Sequence, residues 1–586
     1  MLKFWYSTSR DEHFCFWDLT CDFDVMKKYW DKIILTVIII LAVFIRLYHF
    51  QDWLYFAMDQ ARDAMLVREA YENGVSQLPL LGPRAAGTFL RLGPIFYYFQ
   101  FLSAKIFHST DPAVLAYPDF LFSIFSILLF FFFLRFYFQK TIALVLTALL
   151  AFNFIAIQYS RFAWNPNAVP FWTLVCFFGI LKLASEENKK KKYFWIILSA
   201  IGLAVASQLH FLALFVVSAA VFIFLIWSKL IFRLGWKKII LAVLIVALFY
   251  FPVIVSDIAT KGDNAKQFVW SFLNKPQKHS LVDNFFTNVI TYSQHYFFIL
   301  TSYISKTGKF SLWGGFLLIT SGLALLYFRY SSLKSDSQKN FARLVLIWFF
   351  VSFLTLFPFT FQALTIKPRF FFSSFFLPFI FFGLIAEYFW KKFAKKKLAL
   401  FLIVFAGAGI IALNAEAAAT WLAGVSGNPR SSIIKERNLY AKQSAGFTFS
   451  NTQKLSNYLI SRSSKEKKKI YILGNMDYRV PVQYLLENEK PPVDYSIISL
   501  KCREPEALYF AVVSAGGGCQ SIPSKYFNIF EVTDSKIFGG LMTCELKLKK
   551  DLPEYKKEKK IKNNSDGEKK KPKLKRTERV KWENLF

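Results

Sequence analysis

The sequence predicts a polytopic α-helical membrane body of about eleven spans, followed by a small extracytoplasmic α/β domain. Three observations carry that expectation. Of 586 residues, 55% are hydrophobic and 19% aromatic, and the apolar ones are gathered into runs of membrane-spanning length between residues 33 and 414. Basic clusters fall between those runs rather than within them. From about residue 415 the composition returns to that of a soluble domain, with short alternating segments. A disordered chain, a disulfide scaffold and an ordinary soluble enzyme are excluded. Length alone would suggest about four domains, but a helical membrane body is one cooperative unit.

Residues 1–32 are polar and aromatic and carry no cleavable leader, so the first span serves as the targeting signal. A span needs about 20 apolar residues. The runs are 33–50, 112–137, 141–158, 168–185, 194–209, 211–227, 239–256, 311–328, 343–361, 370–388 and 398–414. Backbone groups in lipid must pair internally, so each is expected to be a helix. Lys27, Lys28 and Lys32 place the N-terminus in the cytoplasm. Alternation then puts the loops with Lys189–Lys192, Arg233–Lys238, Arg329–Arg343 and Lys391–Lys397 on the same side, and all four are basic. An odd number of spans leaves the C-terminal domain outside. The expected organisation is a cytoplasmic segment 1–32, a membrane domain 33–415 with a first outer loop 51–111, an α/β domain 416–550, and a basic, disordered tail 551–586. The expected location is the cell inner or plasma membrane.

The formal charge is +33, from 72 Lys and Arg against 39 Asp and Glu. Positive-inside loops and a solvated tail account for it, and no basic run interleaves with aromatics as a nucleic-acid groove would. No CxxC or zinc spacing occurs among the six cysteines. With the last domain outside the cell, Cys502 and Cys519 are a candidate bridge that leaves Cys544 free. Within that domain, Ile470–Leu473, Tyr495–Leu500, Tyr509–Ser514, Phe527–Val532 and Leu541–Leu548 read as strands, and Val482–Glu489 as a helix.

Chemistry-bearing residues gather on the outer face. In MDQARDAMLVREAYENG, Asp59 and Asp63 share a helix face at i, i+4, and Gly74 suits the C-cap. The plainer alternatives are a helix lying on the membrane, Asp59 as an N-cap, and Asp63 paired to Arg62 or Arg68. In LLGPRAAGTFLRLGPIFYYFQFL, Arg84 and Arg91 suit phosphate recognition, while Tyr97 and Tyr98 either wall a pocket or anchor at the interface. In YSRFAWNPNAVPFW, Arg161, Asn165 and Asn167 face outward; Asn167 could cap a helix and Arg161 could snorkel to headgroups. Gln208 and His210 lie between two short spans and need partners or a watery cavity. Lys367 and Arg369 sit on the outer face against the positive-inside rule, where a lipid phosphate is the natural counter-charge. Arg46 lies in the first apolar run, near enough to its outer end to snorkel.

The order of these motifs, MDQARD, LLGP with GPIFYY, SRFAWNPN, and a basic residue before FFLP, resembles the GT-C superfamily of integral-membrane glycosyltransferases. More narrowly it is similar to the bacterial relatives of protein O-mannosyltransferases and of aminoarabinose transferases, over about residues 33–415. The resemblance implies transfer of a sugar from a polyprenyl-phosphate donor to an acceptor hydroxyl on a protein, lipid or glycan, outside the cytoplasm and with inversion. It also implies an acidic general base in the first loop. Asp59 matches the leading acid; Gln60 stands where many relatives have Glu, and the second acid comes at Asp63, so the choice between the two stays open.

Elementary chemistry agrees. A carboxylate takes the acceptor proton as attack on the anomeric carbon proceeds. Lys367, Arg369 and Arg161 would stabilise charge growing on the departing lipid phosphate. The donor arrives activated, so no nucleotide loop or other cofactor is required, and the chain has no GxxxxGK[ST]. A divalent metal could assist, but the sequence supplies no clear ligand set. Two other readings compete. A polymerase or ligase using a pyrophosphate-linked donor expects its acids in a late outer loop. A flippase expects broken, charged helices and repeated halves.

Overall fold

The structure is a computed structural model. It describes residues 19–85, 90–273, 280–303, 308–357, 368–393, 395–427, 447–488, 495–497, 504–549 and 580–585. Among the described residues, each apolar run falls mainly on helix. In chain order the helices are α1 Leu19–Leu47, α2 Met58–Asn73, α3 Ile95–Phe107, α4 Pro112–Leu134, α5 Lys140–Ala151, α6 Phe154–Tyr159, α7 Val169–Ser185, α8 Lys189–Leu209, α9 Phe211–Trp227, α10 Leu230–Leu234, α11 Trp236–Ala259, α12 Asp263–Leu273, α13 Leu281–Thr301, α14 Lys309–Tyr330, α15 Asp336–Leu356, α16 Leu377–Lys392, α17 Lys396–Val425, α18 Phe449–Glu466 and α19 Met476–Leu486.

Among the described residues, seven helices are long and apolar enough to cross a membrane, or up to eight if the bent pair Pro368–Ser374 and Leu377–Lys392 forms one span. The expected span at 141–158 is broken by Asn153, whose side chain caps α6 by accepting from the Ala156 amide at 3.0 Å. The α9 helix is apolar but has 17 residues. The segment 257–310, which lies between the expected runs 239–256 and 311–328, is largely α12 and α13. Its apolar pattern is hidden because α13 buries a polar face that includes Asn284, Asn288, Thr291, Gln294 and His295.

One buried asparagine ties three helices together. Asn414 Oδ1 accepts from Asn153 Nδ2 at 3.1 Å, the Phe154 amide at 2.9 Å and Ser302 Oγ at 2.7 Å. Its Nδ2 donates to the carbonyls of Leu300 at 3.0 Å and Ile410 at 2.9 Å. In lipid such groups must find partners within the protein.

The C-terminal domain carries a five-stranded sheet in the order β2-β1-β3-β5-β4. Its strands are β1 Ile470–Gly474, β2 Tyr495–Ile497, β3 Leu508–Ser514, β4 Phe530–Phe538 and β5 Leu541–Leu548. The first strand runs parallel to β2 and β3, and β3-β5-β4 is antiparallel. Period-two alternation sends Ile470 and Ile472 to the face covered by Leu455, Leu459 and Val482 of α18 and α19, and Tyr471 and Leu473 to the other. The disulfide joins Cys519 to Cys544, with Cα atoms 5.9 Å apart. This corrects the expected Cys502–Cys519 pairing; Cys502 lies outside the described residues.

The domain is fastened to the segment between α1 and α3. Arg68 donates to Glu487 Oε2 at 2.6 Å and to the Tyr484 carbonyl at 3.1 Å. The amides of Phe449 and Ser450 bond the carbonyls of Leu54 at 2.9 Å and Asp52 at 3.1 Å. Phe449, Val480 and Tyr484 join the apolar core of the membrane body. The expected disordered tail is ordered at 580–585, while 551–579 lies outside the described residues. There the Leu80 amide bonds the Val580 carbonyl at 2.9 Å, Lys581 pairs with Glu69 at 2.6 Å, and Trp582 donates to the Tyr98 hydroxyl at 3.2 Å.

Candidate functional site

The first-loop acids sit on α2 as the i, i+4 spacing requires, but in different surroundings. The helix start is capped by Gln60, whose Oε1 accepts from the Ala57 amide at 3.2 Å, so Asp59 is not the N-cap. Gly74, at φ +105°, ends the helix. Nor does the helix lie on the membrane: Ala61, Ala64, Val67 and Ala70 are buried against the body and the C-terminal domain.

Arg62 bridges both acids, 3.0 Å from Asp59 Oδ1 and 2.8 Å from Asp63 Oδ1. Asp63 Oδ1 also accepts from the Tyr97 hydroxyl at 3.2 Å. The Asp63 side chain is 2% exposed and that of Asp59 31%. One carboxylate is sealed and the other faces open space. Burial pulls the Arg62 pKa down, but Asp63, Tyr97 and Asp59 outweigh it and the net shift is upward. Arg62 therefore stays charged between the two acids.

The basic element arrives from the far end of the body. Arg369 lies in a 3-10 turn, Pro368–Ser374, that leads into α16. The turn is pinned from two sides. Trp348 of α15 donates to the Ser373 carbonyl at 2.6 Å, and His295 of α13 stacks on Phe371 at 4.6 Å. Half-buried Arg369 spreads over aromatic faces, 5.3 Å from the Trp164 ring centre and 5.2 Å from that of Phe370. It is close enough to Asp59, Tyr159 and His210 to interact with them electrostatically. Lys367 lies outside the described residues.

Sequence reasoning missed what positions Trp164. Asp119, 2% exposed, accepts from the Trp164 amide at 2.8 Å. An acid inside the apolar run of α4 was the available signal, since such a residue in a span is functional by default. Tyr55 was also missed. It is edge-on to Phe162 at 5.1 Å and shares the electrostatic surroundings of Asp59, Tyr159 and, from the C-terminal domain, Asp477 and Tyr478.

The other expected residues divide. Arg161 is 1% exposed and donates to the carbonyls of Ile45 at 3.3 Å, Arg46 at 2.7 Å and His49 at 3.1 Å, with Phe50 and Trp421 beneath its plane. It closes the C-terminal end of α1, a scaffold position, and does not snorkel. Arg46 does not snorkel either: fully buried, it donates to Ala151 O at 2.9 Å and Ser123 Oγ at 3.1 Å. It lines a narrow cavity of about 40 Å³ that Tyr159 and Asn167 also border.

Asn165 donates to the Leu209 carbonyl at 2.6 Å and Asn167 to that of Phe162 at 2.8 Å; both shape the Trp164 turn. Gln208 bonds the Phe249 carbonyl at 2.9 Å. His210 caps α9 through the Leu212 amide at 3.3 Å and stands edge-on to Phe370, beside Arg369. Arg84 faces Arg91 across an antiparallel bridge, and the Arg91 amide bonds Asn264 of α12 at 2.9 Å. Tyr97 is buried on Asp63. Tyr98 bonds the Pro79 carbonyl at 3.3 Å, and burial pushes its pKa up to about 12. Among the described residues, no three His, Cys, Asp or Glu side chains gather into a metal-sized cluster.

Residues 92–255 match the family model for dolichyl-phosphate-mannose-protein mannosyltransferase. That stretch runs from the start of the α3 segment into α11 and holds Trp164 and His210; both loop acids and Arg369 lie outside it. A search of curated proteins finds no match. Among solved structures, the fold is similar to ArnT from Cupriavidus metallidurans bound to undecaprenyl phosphate. The TM-score is 0.53 at 12% identity, over 88% of this chain and 98% of that one. The apo state of the same protein gives a TM-score of 0.50 at 13% identity, again over 88% and 98%. The family signature over residues 92–255 and the shared fold bear out the resemblance to the GT-C superfamily of glycosyltransferases, on the side of the O-mannosyltransferases and ArnT.

Proposed function

We propose that the chain moves a monosaccharide from a polyprenyl-phosphate donor to an acceptor hydroxyl at the outer rim of the membrane, with inversion. The observation that carries this reading is that Asp59 and Arg369, from opposite ends of the membrane body, share one electrostatic neighbourhood. Asp59 is the exposed acid of the pair. Its carboxylate takes the acceptor O–H proton while that oxygen bonds the anomeric carbon. The bond from that carbon to the phosphate oxygen breaks, and its electron pair leaves with the polyprenyl phosphate. Arg369, with Lys367, balances the charge that grows there, where low dielectric strengthens the interaction. Asp63 acts through Arg62 as a positioning residue.

The ArnT structure bound to undecaprenyl phosphate supports a lipid-linked donor for this chain. The Cys519–Cys544 bridge supports an oxidising, extracytoplasmic side for the C-terminal domain, and with it a cytoplasmic N-terminus. The test is to incubate the purified protein with a panel of polyprenyl-phosphate sugars and follow free polyprenyl phosphate. Release with at least one sugar is expected. No release with any of them, in a protein that melts cooperatively, rejects the reading.

A further inference from the structure

The sheet of the C-terminal domain changes direction at β1, which has β2 on one side and β3 on the other, both parallel to it. In open α/β sheets, the crevice beyond the carboxyl ends of the strands at such a switch is where ligands bind. A cleft of about 190 Å³ occupies that place. Gly474 ends β1 there at φ +148°, and a Cβ on it would stand 2.2 Å from the Val512 carbonyl oxygen, so the floor is bare backbone. Asn475 and Tyr478 from the start of α19, Ser514 from the end of β3, and Ser521 with Ile522 form the walls. The disulfide fixes the last wall, since Cys519 begins the turn that holds Ser521.

The lining selects a chemistry. Among the described residues no charged side chain lines the cleft, so a phosphate or carboxylate would find no counter-ion on those walls. Hydroxyls and an amide alternate with aliphatic carbon, which suits a neutral ring bearing hydroxyls on its rim and C–H on its faces. An extended peptide would use a long groove or a sheet edge, not a compact pit. Position links the cleft to the site. Tyr478, on its lip, belongs to α19, whose C-terminal end is held by Arg68 of α2, at the Tyr484 carbonyl and Glu487, and α2 carries Asp59. Tyr478 is held in place by stacking on Phe447 at 4.9 Å.

We propose that this cleft binds a neutral sugar ring of a glycan acceptor and presents the chain beyond it to the first-loop acid. The acceptor role rests on the transferase reading; the site itself does not. The test uses the full-length protein in phospholipid nanodiscs with diazirine-bearing methyl glycosides of glucose, mannose and N-acetylglucosamine. After illumination, modified peptides are mapped by mass spectrometry. Labelling within residues 473–478 or 512–523 is expected for at least one glycoside and competed by its unmodified form. It should fall at least about tenfold, or about 1.4 kcal/mol of affinity, in Ser514→Leu, which fills the cleft. Ser521→Leu serves if the first variant fails to melt cooperatively. Absence of labelling there, equal labelling in both variants, or displacement by a serine-containing peptide but not by glycoside, overturns the proposal. Labelling of the cleft in a protein that releases no polyprenyl phosphate would keep the site and remove the transferase reading.

Discussion

Replacing the two loop acids by asparagine separates chemistry from structure. In Asp59→Asn the lost ion pair joins groups that are each about a third exposed, 3.0 Å apart. Such pairs contribute about 0–1 kcal/mol, so the melting temperature should barely move. The rate should fall much further. A positioned general base contributes about 10²–10⁴-fold, or about 2.7–5.4 kcal/mol of barrier. In Asp63→Asn the balance reverses. That oxygen receives Arg62 and the Tyr97 hydroxyl in a site 2% exposed. Bonds to a buried charge are worth about 1.5–3 kcal/mol each, so this variant should melt lower, and its residual activity should track the folded fraction. The assay pairs single-turnover sugar transfer with thermal melting in the same detergent. If Asp59→Asn transfers sugar at the wild-type rate, or Asp63→Asn melts as the wild type does, the division of labour drawn from burial is wrong.

Arg369→Ala should raise the KM for the lipid donor roughly 10–150-fold, from the loss of about 1.5–3 kcal/mol of charged hydrogen bonding, with acceptor dependence unchanged; equal shifts in both would refute the phosphate role. Lys367→Ala should act in the same direction. Asn414→Leu strands the Phe154 amide, at about 1–3 kcal/mol; a lowered melting temperature is expected, and wild-type melting would contradict it. Cys519→Ser with Cys544→Ser opens a crosslink spanning 25 residues, which the chain-entropy account values at about 3 kcal/mol. Proteolysis confined to the C-terminal domain should speed up, and unchanged cleavage would count against it.

What the sequence disclosed depended on how strongly each feature showed in composition. Long apolar runs identify helices because lipid allows little else, so α4, α8, α11 and α17 were plain. The polar face of α13 erased its apolar signal, because Asn288, Gln294 and His295 bond the carbonyls of Phe353, Gly308 and Thr291 inside the bundle instead of facing lipid. The carboxylate pair was legible from spacing, but which member is sealed was not. Burial of Asp63 comes from Tyr97, on a different helix. Arg161 carried the same sequence signature as Arg369, yet one caps α1 and the other lies beside Asp59. Only packing distinguishes two outward arginines. The bridge partner of Cys519 was likewise a matter of which strand lies alongside its turn, and β5 brought Cys544 there.

The C-terminal domain is moored to the first loop at two separate points. One is the Arg68–Glu487 pair, and the other is the run of backbone bonds from Phe449 and Ser450 to Leu54 and Asp52. A hinged opening about either mooring must break the other, so the loop that carries Asp59 and the sheet move as one piece.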